Sequence, residues 1–327
     1  MNYSDAKIDF HVHYLPQAYK EAVELHGGAS VDKYPTPAWS VEQHLEDMEK
    51  LKIATAFLSL SSPHLSFGSE EKAGTIARKS NEEGAEIVRK YPERFGLFAS
   101  LPLPNVQASL KEIEYASTVL KADAFDLPTN ARGVYLGDPK LDPVFELLNH
   151  YKSVVHIHPN RPSQIPENVL EKVPIPAVEF LFDTTRTVTN LIVNGVFLRY
   201  PDIKWVVPHA GSLLPLLADR LDANLVHGMI KCDGEVPNIY AQLNNLYYDV
   251  AGFCVPRQLS ALLQITDISH LLYGSDYSYT PAWACSWLVD ELEKTELLSA
   301  EDRQAIFGEN AVKLISRLKK ISLDLSL

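Results

Sequence analysis

Two histidines near the start of the chain, His11 and His13, have a spacing that suggests metal chemistry. Residues two apart in a β-strand point to the same face, so the two imidazoles can chelate one ion. His158 closes the apolar segment VVHIH, and Asp276 closes LLYGSD. Three imidazoles and one carboxylate with a free coordination position make a catalytic zinc site, although Mn²⁺ or Fe²⁺ would also suit. The sequence therefore predicts one divalent metal ion, with zinc as the expected ion and these four residues as its ligands.

Two further histidines lie at the ends of apolar segments. His156 shares a strand face with His158 but lies one layer deeper, which makes His158 the better ligand candidate. His209 is followed by Ala-Gly-Ser, a tight turn that keeps its ring at the pocket, where it could be a fifth ligand or a base. Two-metal barrel hydrolases usually bridge their ions with a lysine on the fourth strand. The predicted fourth strand, RGVYL at 132–136, has no lysine. This favours one metal ion and leaves His209 to orient a water or a substrate group.

Short apolar segments with the character of buried strands alternate with segments of helical spacing along the chain. The predicted strands cover residues 8–12, 54–60, 95–101, 132–136, 153–157, 203–207, 245–250 and 270–274. The segments with helical spacing include residues 41–52, 70–90, 105–121 and 213–224. Eight strands alternating with helices predict an α/β fold, the (β/α)8 TIM barrel, in which catalytic residues lie at the strands' C-terminal ends.

The whole chain, residues 1–327, is predicted to form one domain, because we find no convincing boundary. Two connections are longer than a barrel needs: residues 14–38 after the first strand and the proline-rich residues 159–176 after the fifth. Both begin at strand C-termini, so we expect them to overhang the active-site mouth as a lid or as pocket walls. The alternative is that they are surface excursions without a role.

Composition excludes several classes of function. The net charge is −12 and no long cluster of basic residues occurs, so a nucleic-acid partner is not expected. No apolar run approaches the ~18 residues that span a membrane, and the N-terminal segment leaves no room for a signal peptide. These features predict a cytoplasmic protein. Cys232, Cys254 and Cys285 are distant in sequence and odd in number, which favours reduced thiols.

Taken together, these motifs resemble the amidohydrolase superfamily. The similar branch contains aminocarboxymuconate-semialdehyde decarboxylase and the decarboxylases of γ-resorcylate and 6-methylsalicylate. The resemblance covers nearly the whole chain. It rests on the first-strand HxH, the His-Pro at 158–159, PHAGS at 208–212, GSDY at 274–277 and FGENAVKL at 307–314. The segment EFLFDTTRT at 179–187 looks most like the 6-methylsalicylate decarboxylase subgroup.

The resemblance implies the same four metal ligands and assigns His209 as the catalytic histidine. It also implies that Arg220, eleven residues after His209, reaches the neighbouring subunit's pocket and binds an anionic substrate. A homodimer or homotetramer with Arg220 near the interface would follow. The alternative is that Arg220 pairs with Asp219 or Asp222 on a helix surface. Tyr279 occupies the position of an aromatic pocket residue in these relatives.

One position departs from the semialdehyde decarboxylase. That enzyme supplies a second arginine from the helix after the first-strand loop, whereas the matching position in WSVEQHLEDM is His44. The second arginine binds the second carboxylate of its substrate. The departure therefore weakens a dicarboxylate substrate and favours a monocarboxylic aromatic acid.

The predicted activity is the metal-dependent, non-oxidative decarboxylation of a salicylate-type hydroxybenzoic acid such as 6-methylsalicylate. Asp276, assisted by His209, would protonate the ring carbon so that CO2 can leave, which requires that burial raise its pKa or that His209 share the proton. Phe180, Phe182 and Tyr279 are candidate walls around the aromatic ring. The main alternative is a hydrolase or hydratase that uses metal-activated water. A metal-binding protein without catalytic activity is a third possibility.

Overall fold

Eight parallel strands form a barrel in the computed structural model, which describes residues 7–26, 32–232 and 236–318. The barrel strands are β1 (Lys7–His13), β2 (Ile53–Ser59), β3 (Phe95–Ser100), β4 (Ala124–Pro128), β7 (Val154–His158), β8 (Lys204–Val207), β9 (Tyr247–Asp249) and β10 (Leu271–Leu272). The two ends of the sheet meet where the Phe10 amide donates to the Tyr273 carbonyl at 2.9 Å and Val12 bridges to Tyr277. The predicted TIM barrel is therefore confirmed.

Helices follow the strands and cover the outside of the barrel. They are α1 (Gln17–His26), α2 (Val41–Leu51), α3 (Glu70–Lys90), α4 (Val106–Tyr115), α5 (Asp142–His150), α6 (Glu179–Val193), α7 (Val196–Arg199), α8 (Leu214–Val226), α9 (Ile239–Asn245), α10 (Arg257–Leu262), α11 (Ala282–Lys294), α12 (Ala300–Gln304) and α13 (Asn310–Leu314). None of the helices described is long and apolar enough to cross a membrane.

Helix α3 illustrates how the sequence sets these elements. The Ser69 hydroxyl accepts a hydrogen bond from the Lys72 amide and caps the first turn. Acidic residues occupy that turn, while Arg89 and Lys90 occupy the last turn, so both ends complement the helix dipole. Because these signals are local, the helix has the bounds 70–90 that the sequence predicts.

The predicted fourth strand is wrong. Residues 132–136 contain β6 (Val134–Tyr135), which pairs antiparallel with β5 (Asn130–Ala131) in a small hairpin outside the barrel. Arg132 and Gly133 turn the hairpin with positive φ angles of 55° and 81°. The fourth barrel strand is instead β4, whose sequence AFDLP carries an aspartate and a proline that hide its strand character. It also lacks lysine, so the argument for one metal ion is unchanged.

A β-bulge in β1 sets the level of the first two histidines. Asp9 pairs with Ala56 and Val12 with Leu58, so one extra residue of β1 lies between these pairs. Phe10 packs in an apolar cluster with Phe57 and Phe98, at ring-centroid distances of 5.1 and 4.9 Å. The next residue, His11, already contacts the other histidines of the barrel. The bulge thus joins an apolar layer directly to a polar one.

The two long connections contact each other. The Ile175 amide donates to the Asp32 carbonyl at 3.0 Å, and the Lys33 ammonium donates to the Glu171 carbonyl at 3.1 Å. Residues 14–38 include α1, and residues 27–31 lie outside the described part. The segment 159–176 has no strand and ends in a helical turn at Ile175–Ala177.

Candidate metal centre and active site

Side chains from opposite parts of the chain converge at the C-terminal end of the barrel. The Nε2 atoms of His11 and His13 are 3.2 Å apart, and His13 Nε2 is 3.1 Å from Asp276 Oδ1. His158 completes the group, in which one potential ligand atom from each residue lies within 4.8 Å of the others. The three histidines are buried, whereas the Asp276 side chain is 22% exposed. The arrangement fits a divalent ion with three nitrogen ligands, one oxygen ligand and an open side.

Each of the three histidines is oriented by a partner on its other ring nitrogen. The partners of the Nδ1 atoms of His11, His13 and His158 are, in that order, Asp249 Oδ2 at 3.0 Å, Ser59 Oγ at 3.2 Å and His64 Nε2 at 3.1 Å. Such contacts fix the ring orientation of a metal-ligating histidine. Because Nδ1 is engaged in each ring, Nε2 is left for the ion.

A buried charge network lies beneath the four candidate ligands. His156 Nδ1 is 2.8 Å from Asp126 Oδ1, and its Nε2 is 3.0 Å from Asp249 Oδ2. Burial lowers the pKa of His156, but hydrogen bonds to the two aspartates outweigh burial and raise the pKa to about 9. Contacts with His11 and His156 likewise overcome burial and hold the pKa of Asp249 well below its ordinary value. The two aspartates hold His156 in the deeper layer, and Asp249 also orients the His11 ring.

His209 faces Asp276 across the open side of the cluster. Its Nε2 is 3.6 Å from Asp276 Oδ2, and its Nδ1 has no hydrogen-bond partner in the described part of the chain. Burial favours the neutral acid of Asp276, yet the hydrogen bond with His13 and the nearby rings of His209 and His11 hold the pKa of Asp276 below its ordinary value. Which of the two predicted routes supplies the proton, a protonated Asp276 or a proton shared with His209, stays a prediction.

A cavity of about 410 Å³ opens beside these residues. Its walls include His158, His209 and Asp276, and the two long connections contribute Tyr34 and Pro174, among others. Apolar side chains dominate the lining, and the described lining residues include no lysine or arginine. A cavity of this size and character accommodates a small aromatic acid, whose negative charge would need a counter-charge from the metal ion or from outside this chain.

Tyr279 and Phe180 line the cavity, but Phe182 does not. The Tyr279 ring lies 5.7 Å from the His13 ring, and the Tyr279 carbonyl accepts a hydrogen bond from the Tyr34 hydroxyl at 3.1 Å. Phe180 is 6% exposed, whereas Phe182 is 49% exposed. Two residues along a helix correspond to a rotation of about 200°, so α6 turns Phe182 to the outside. Phe182 therefore does not line the cavity of a single chain, and its predicted substrate-binding role stays a prediction.

Arg220 and His44 lie outside the cavity. Arg220 is exposed on α8, and it forms no ion pair with any of the residues described. One of its two expected surface partners, Asp219, accepts instead from the Tyr240 hydroxyl at 2.6 Å. His44 is buried in α2 and accepts a hydrogen bond from Trp39 Nε1 at 3.1 Å. His44 is thus a core residue and does not replace the missing arginine as a substrate ligand.

Four residues around the metal cluster were not identified from the sequence. They are Ser59, His64, Asp126 and Asp249. Asp249 is the last residue of β9 and lies next to the end of the predicted strand 245–250, and this position near a strand end could have identified it. Asp126 lies in the missed strand β4, while Ser59 and His64 carry no recognisable spacing. Side chains that orient a candidate metal ligand follow no fixed spacing in the sequence, because their positions depend on how neighbouring strands align.

The fold and the cluster together define a metal-dependent barrel enzyme of the amidohydrolase type. The Amidohydrolase family model matches residues 8–317, and the chain belongs to this family. The family predicted from the motifs is therefore confirmed.

The curated relatives include enzymes named as decarboxylases. Decarboxylase yanB of Aspergillus niger is 33% identical over 326 residues, covering 96% of this chain and 88% of that protein. The 6-methylsalicylic acid decarboxylase of Penicillium expansum is 33% identical over 321 residues, covering 97% of this chain and 98% of that protein. Both similarities extend over nearly the whole of each protein.

Solved structures share the fold over nearly the same length. A crystal structure described as an amidohydrolase II has a TM-score of 0.90 and 38% identity, covering 95% of this chain and 100% of that one. A dihydroxybenzoic acid decarboxylase from Polaromonas, with bound manganese and the inhibitor 2-nitroresorcinol, has a TM-score of 0.78 and 22% identity. That similarity covers 96% of this chain and 97% of the Polaromonas chain.

Proposed function

We propose that this protein is a metal-dependent decarboxylase that removes CO2 from a salicylate-type hydroxybenzoic acid, without oxidation. It is then a carbon–carbon lyase. The observation that carries the proposal is the end-to-end similarity to the Penicillium 6-methylsalicylic acid decarboxylase, at 33% identity. The cluster of three histidines and Asp276 beside an apolar cavity supplies the chemistry that such a reaction needs.

His11, His13, His158 and Asp276 would hold one divalent ion. When bound, the ion supplies positive charge that attracts an anionic aromatic acid and stabilises negative charge on it. We propose zinc, because three imidazoles and one carboxylate suit it, and manganese is the alternative that the same donors accept. Manganese is also the ion bound in the Polaromonas decarboxylase, which has the same fold.

The protein's own groups then move one proton. His209 and Asp276 form the pair that supplies this proton, and the Nε2 atom of His209 lies 3.6 Å from the Oδ2 atom of Asp276. Transfer of that proton to the ring carbon bearing the carboxylate makes this carbon tetrahedral. The bond to the carboxylate carbon then breaks, its electron pair restores the aromatic ring, and CO2 leaves. His209, whose Nε2 faces Oδ2 of Asp276, is the group that would bring the proton to the pair.

The cavity walls position the ring during this transfer. Phe180, Tyr279 and Pro174 all line the cavity, and the two aromatic rings offer flat apolar surfaces to the substrate. A largely apolar lining suits a flat aromatic ring, which favours the decarboxylase over the hydrolase alternative. We further propose a cytoplasmic homodimer or homotetramer in which Arg220 lies near the interface and supplies a cation to the neighbouring cavity. We also propose that the chain forms one catalytic domain, in which the described parts of the two long connections line the mouth through residues such as Tyr34 and Pro174.

The proposal is tested by CO2 release and phenol formation from 6-methylsalicylate, salicylate and γ-resorcylate. Protein stripped with a chelator is compared with protein reloaded with zinc or with manganese. Metal-dependent formation of cresol from 6-methylsalicylate is the expected result. If metal-loaded protein turns over none of these acids, the decarboxylase proposal fails and metal-dependent hydrolysis becomes the reaction to test.

A further inference from the structure

The turn that carries His209 has an unusual backbone. His209, Ala210, Gly211 and Ser212 have consecutive positive φ angles of 52°, 50°, 73° and 55°. Only one of the four is glycine, so three residues occupy a region that side chains disfavour. A turn of this kind persists only where surrounding groups hold it in place.

Gln258 holds both ends of this turn. Its side-chain amide nitrogen donates one hydrogen bond to the His209 carbonyl and a second to the Ser212 carbonyl, the latter at 3.2 Å. The two hydrogens of the amide are therefore used on the two carbonyls that close the turn. Gln258 belongs to α10, which is anchored by the buried side chains of Leu259 and Leu262.

Other contacts support the turn but do not replace these two hydrogen bonds. The Asp249 carboxylate accepts from the His209 amide at 3.0 Å, and the Thr185 hydroxyl accepts from the Leu213 amide at 3.1 Å. Both contacts accept from backbone amides, one in the turn and one directly after it. Among the residues described, Gln258 is the side chain that donates hydrogen bonds to the carbonyl groups of the turn. It also lines the cavity beside His209.

We propose that Gln258 is a positioning residue that holds the His209 ring in place for proton transfer to Asp276. The proposal rests on the proposed function for its kinetic consequence and on the turn's geometry for its structural one. A side chain at 258 must present two hydrogen-bond donors from one atom. Glutamate has nearly the same shape but accepts where glutamine donates, so it places a carboxylate against two carbonyl oxygens. Leucine fills similar space and makes no hydrogen bond.

The test compares Gln258→Glu and Gln258→Leu with the wild type, and uses Gln264→Leu as a matched control. Gln264 is an exposed glutamine shortly after α10, outside the cavity. Both Gln258 variants are expected to lose about 10- to 100-fold in kcat, because small misplacement of a catalytic group has effects of this size. We expect KM to change less than about threefold, because uniform binding is retained. Metal content should stay at the wild-type level, and Gln264→Leu should keep the wild-type rate.

Two further measurements separate positioning from general damage. In a His209→Ala background, Gln258→Leu should cause no further loss of kcat, because Gln258 acts through His209. In metal-free protein without substrate, the rate at which diethylpyrocarbonate modifies His209, mapped by mass spectrometry, should rise in the Gln258 variants. The exposed His150 and His227 serve as internal references and should react at unchanged rates.

Additive losses in the double variant, or a loss confined to KM, would overturn the proposal, as would His209 reactivity equal to the wild type. If the wild-type protein turns over no aromatic acid, the proposed function fails. The modification rate of His209 then decides the role of Gln258 without any substrate.

Discussion

At the scale of single residues, Asp276 has two tasks, since it is a candidate metal ligand and a member of the proton-transferring pair. The variant Asp276→Asn keeps an oxygen toward the metal site but cannot take up or release a proton. Turnover should fall by a factor of about 10³, within the range of 10²–10⁴ for loss of an acid–base group, while most of the metal remains. Rate assays paired with elemental analysis measure both. Asp290→Asn, at an exposed position on α11, is the control, and near-normal turnover by Asp276→Asn would show that another group moves the proton.

Phe180 and Phe182 form a matched pair on one helix, because one lies in the cavity wall and the other faces outward. Phe180→Leu removes a flat aromatic surface near His158, whose ring centroid lies 6.1 Å away. An aromatic contact contributes about 0.5–1.5 kcal/mol beyond its buried area, so KM should rise about 2- to 13-fold. Phe182→Leu should leave KM unchanged. Equal KM values for the two variants would contradict the assignment of Phe180 to the substrate wall.

At the scale of elements, helix α2 carries a pH-sensitive residue that takes no part in the proposed reaction. Burial lowers the pKa of His44 to about 3, while an unfolded chain has a histidine pKa near 6.5. Between these values the unfolded state binds a proton that the folded state does not. The free energy of unfolding therefore falls as the pH drops below about 6.5, by up to ~1.4 kcal/mol per pH unit.

The variant His44→Gln tests this dependence, because its amide oxygen can still accept from Trp39 Nε1. Between pH 7 and pH 5 the wild type should lose about 2 kcal/mol more unfolding free energy than His44→Gln, measured by urea denaturation. His150→Gln, at an exposed position on α5, is the control and should follow the wild type. Parallel curves for wild type and His44→Gln would mean that His44 titrates normally in the folded protein.

Most elements could be predicted from the sequence because their signals are local. The bounds of α3 follow from a capping serine and from the charges at its ends, and the strands ending in histidine follow from apolar runs. β4 could not be predicted from its own residues, since Asp126 is tolerated in a buried strand only because His156 on the adjacent β7 pairs with it. The bulge in β1 has the same origin, because it is defined by pairing with β2.

The candidate ligand set could be predicted from strand periodicity, because strand ends of a barrel meet at one mouth. The pocket walls could not be predicted in the same way. Phe180 and Phe182 both lie in an apolar segment, and their division between inside and outside depends on how α6 is rotated against the barrel. Gln258 depends on an even more distant arrangement, because α10 must place its side chain beside a turn 46 to 49 residues earlier.

At the scale of the whole molecule, a bound metal ion would tie together distant parts of the chain. Its candidate ligands come from β1, from β7 and from the segment after β10. An ion that binds only the folded state adds about 2.7 kcal/mol at a free concentration 100 times its Kd. Chelation should therefore lower the Tm, and added zinc should restore it. A Tm that is the same with and without chelator, in protein shown to lose its metal, would contradict a metal site formed by these residues.

An aromatic acid in the cavity of one chain would carry a negative charge, and the described lining residues include no arginine or lysine to neutralise it. Arg220 is exposed on α8 and outside that cavity, so it can serve only a site formed with another chain. If it does, Arg220→Ala should lower the affinity for the acid and leave the metal content unchanged. This result alone would not show which subunit's site the arginine serves.

Mixing two variants decides the question, at an acid concentration low enough that Arg220→Ala alone is nearly inactive. The Arg220→Ala and Asp276→Asn proteins are unfolded, mixed in equal amounts and refolded together, so that mixed dimers form. Suppose that each subunit supplies Arg220 to its partner's site. In a mixed dimer, the site that retains Asp276 then receives Arg220 from the partner and is intact, while the other site lacks both groups. Random pairing makes half of the dimers mixed, with one active site in two, so about a quarter of the wild-type activity should return. If each subunit instead uses its own Arg220, each site of the mixed dimer lacks one group, and the mixture should be no more active than its components.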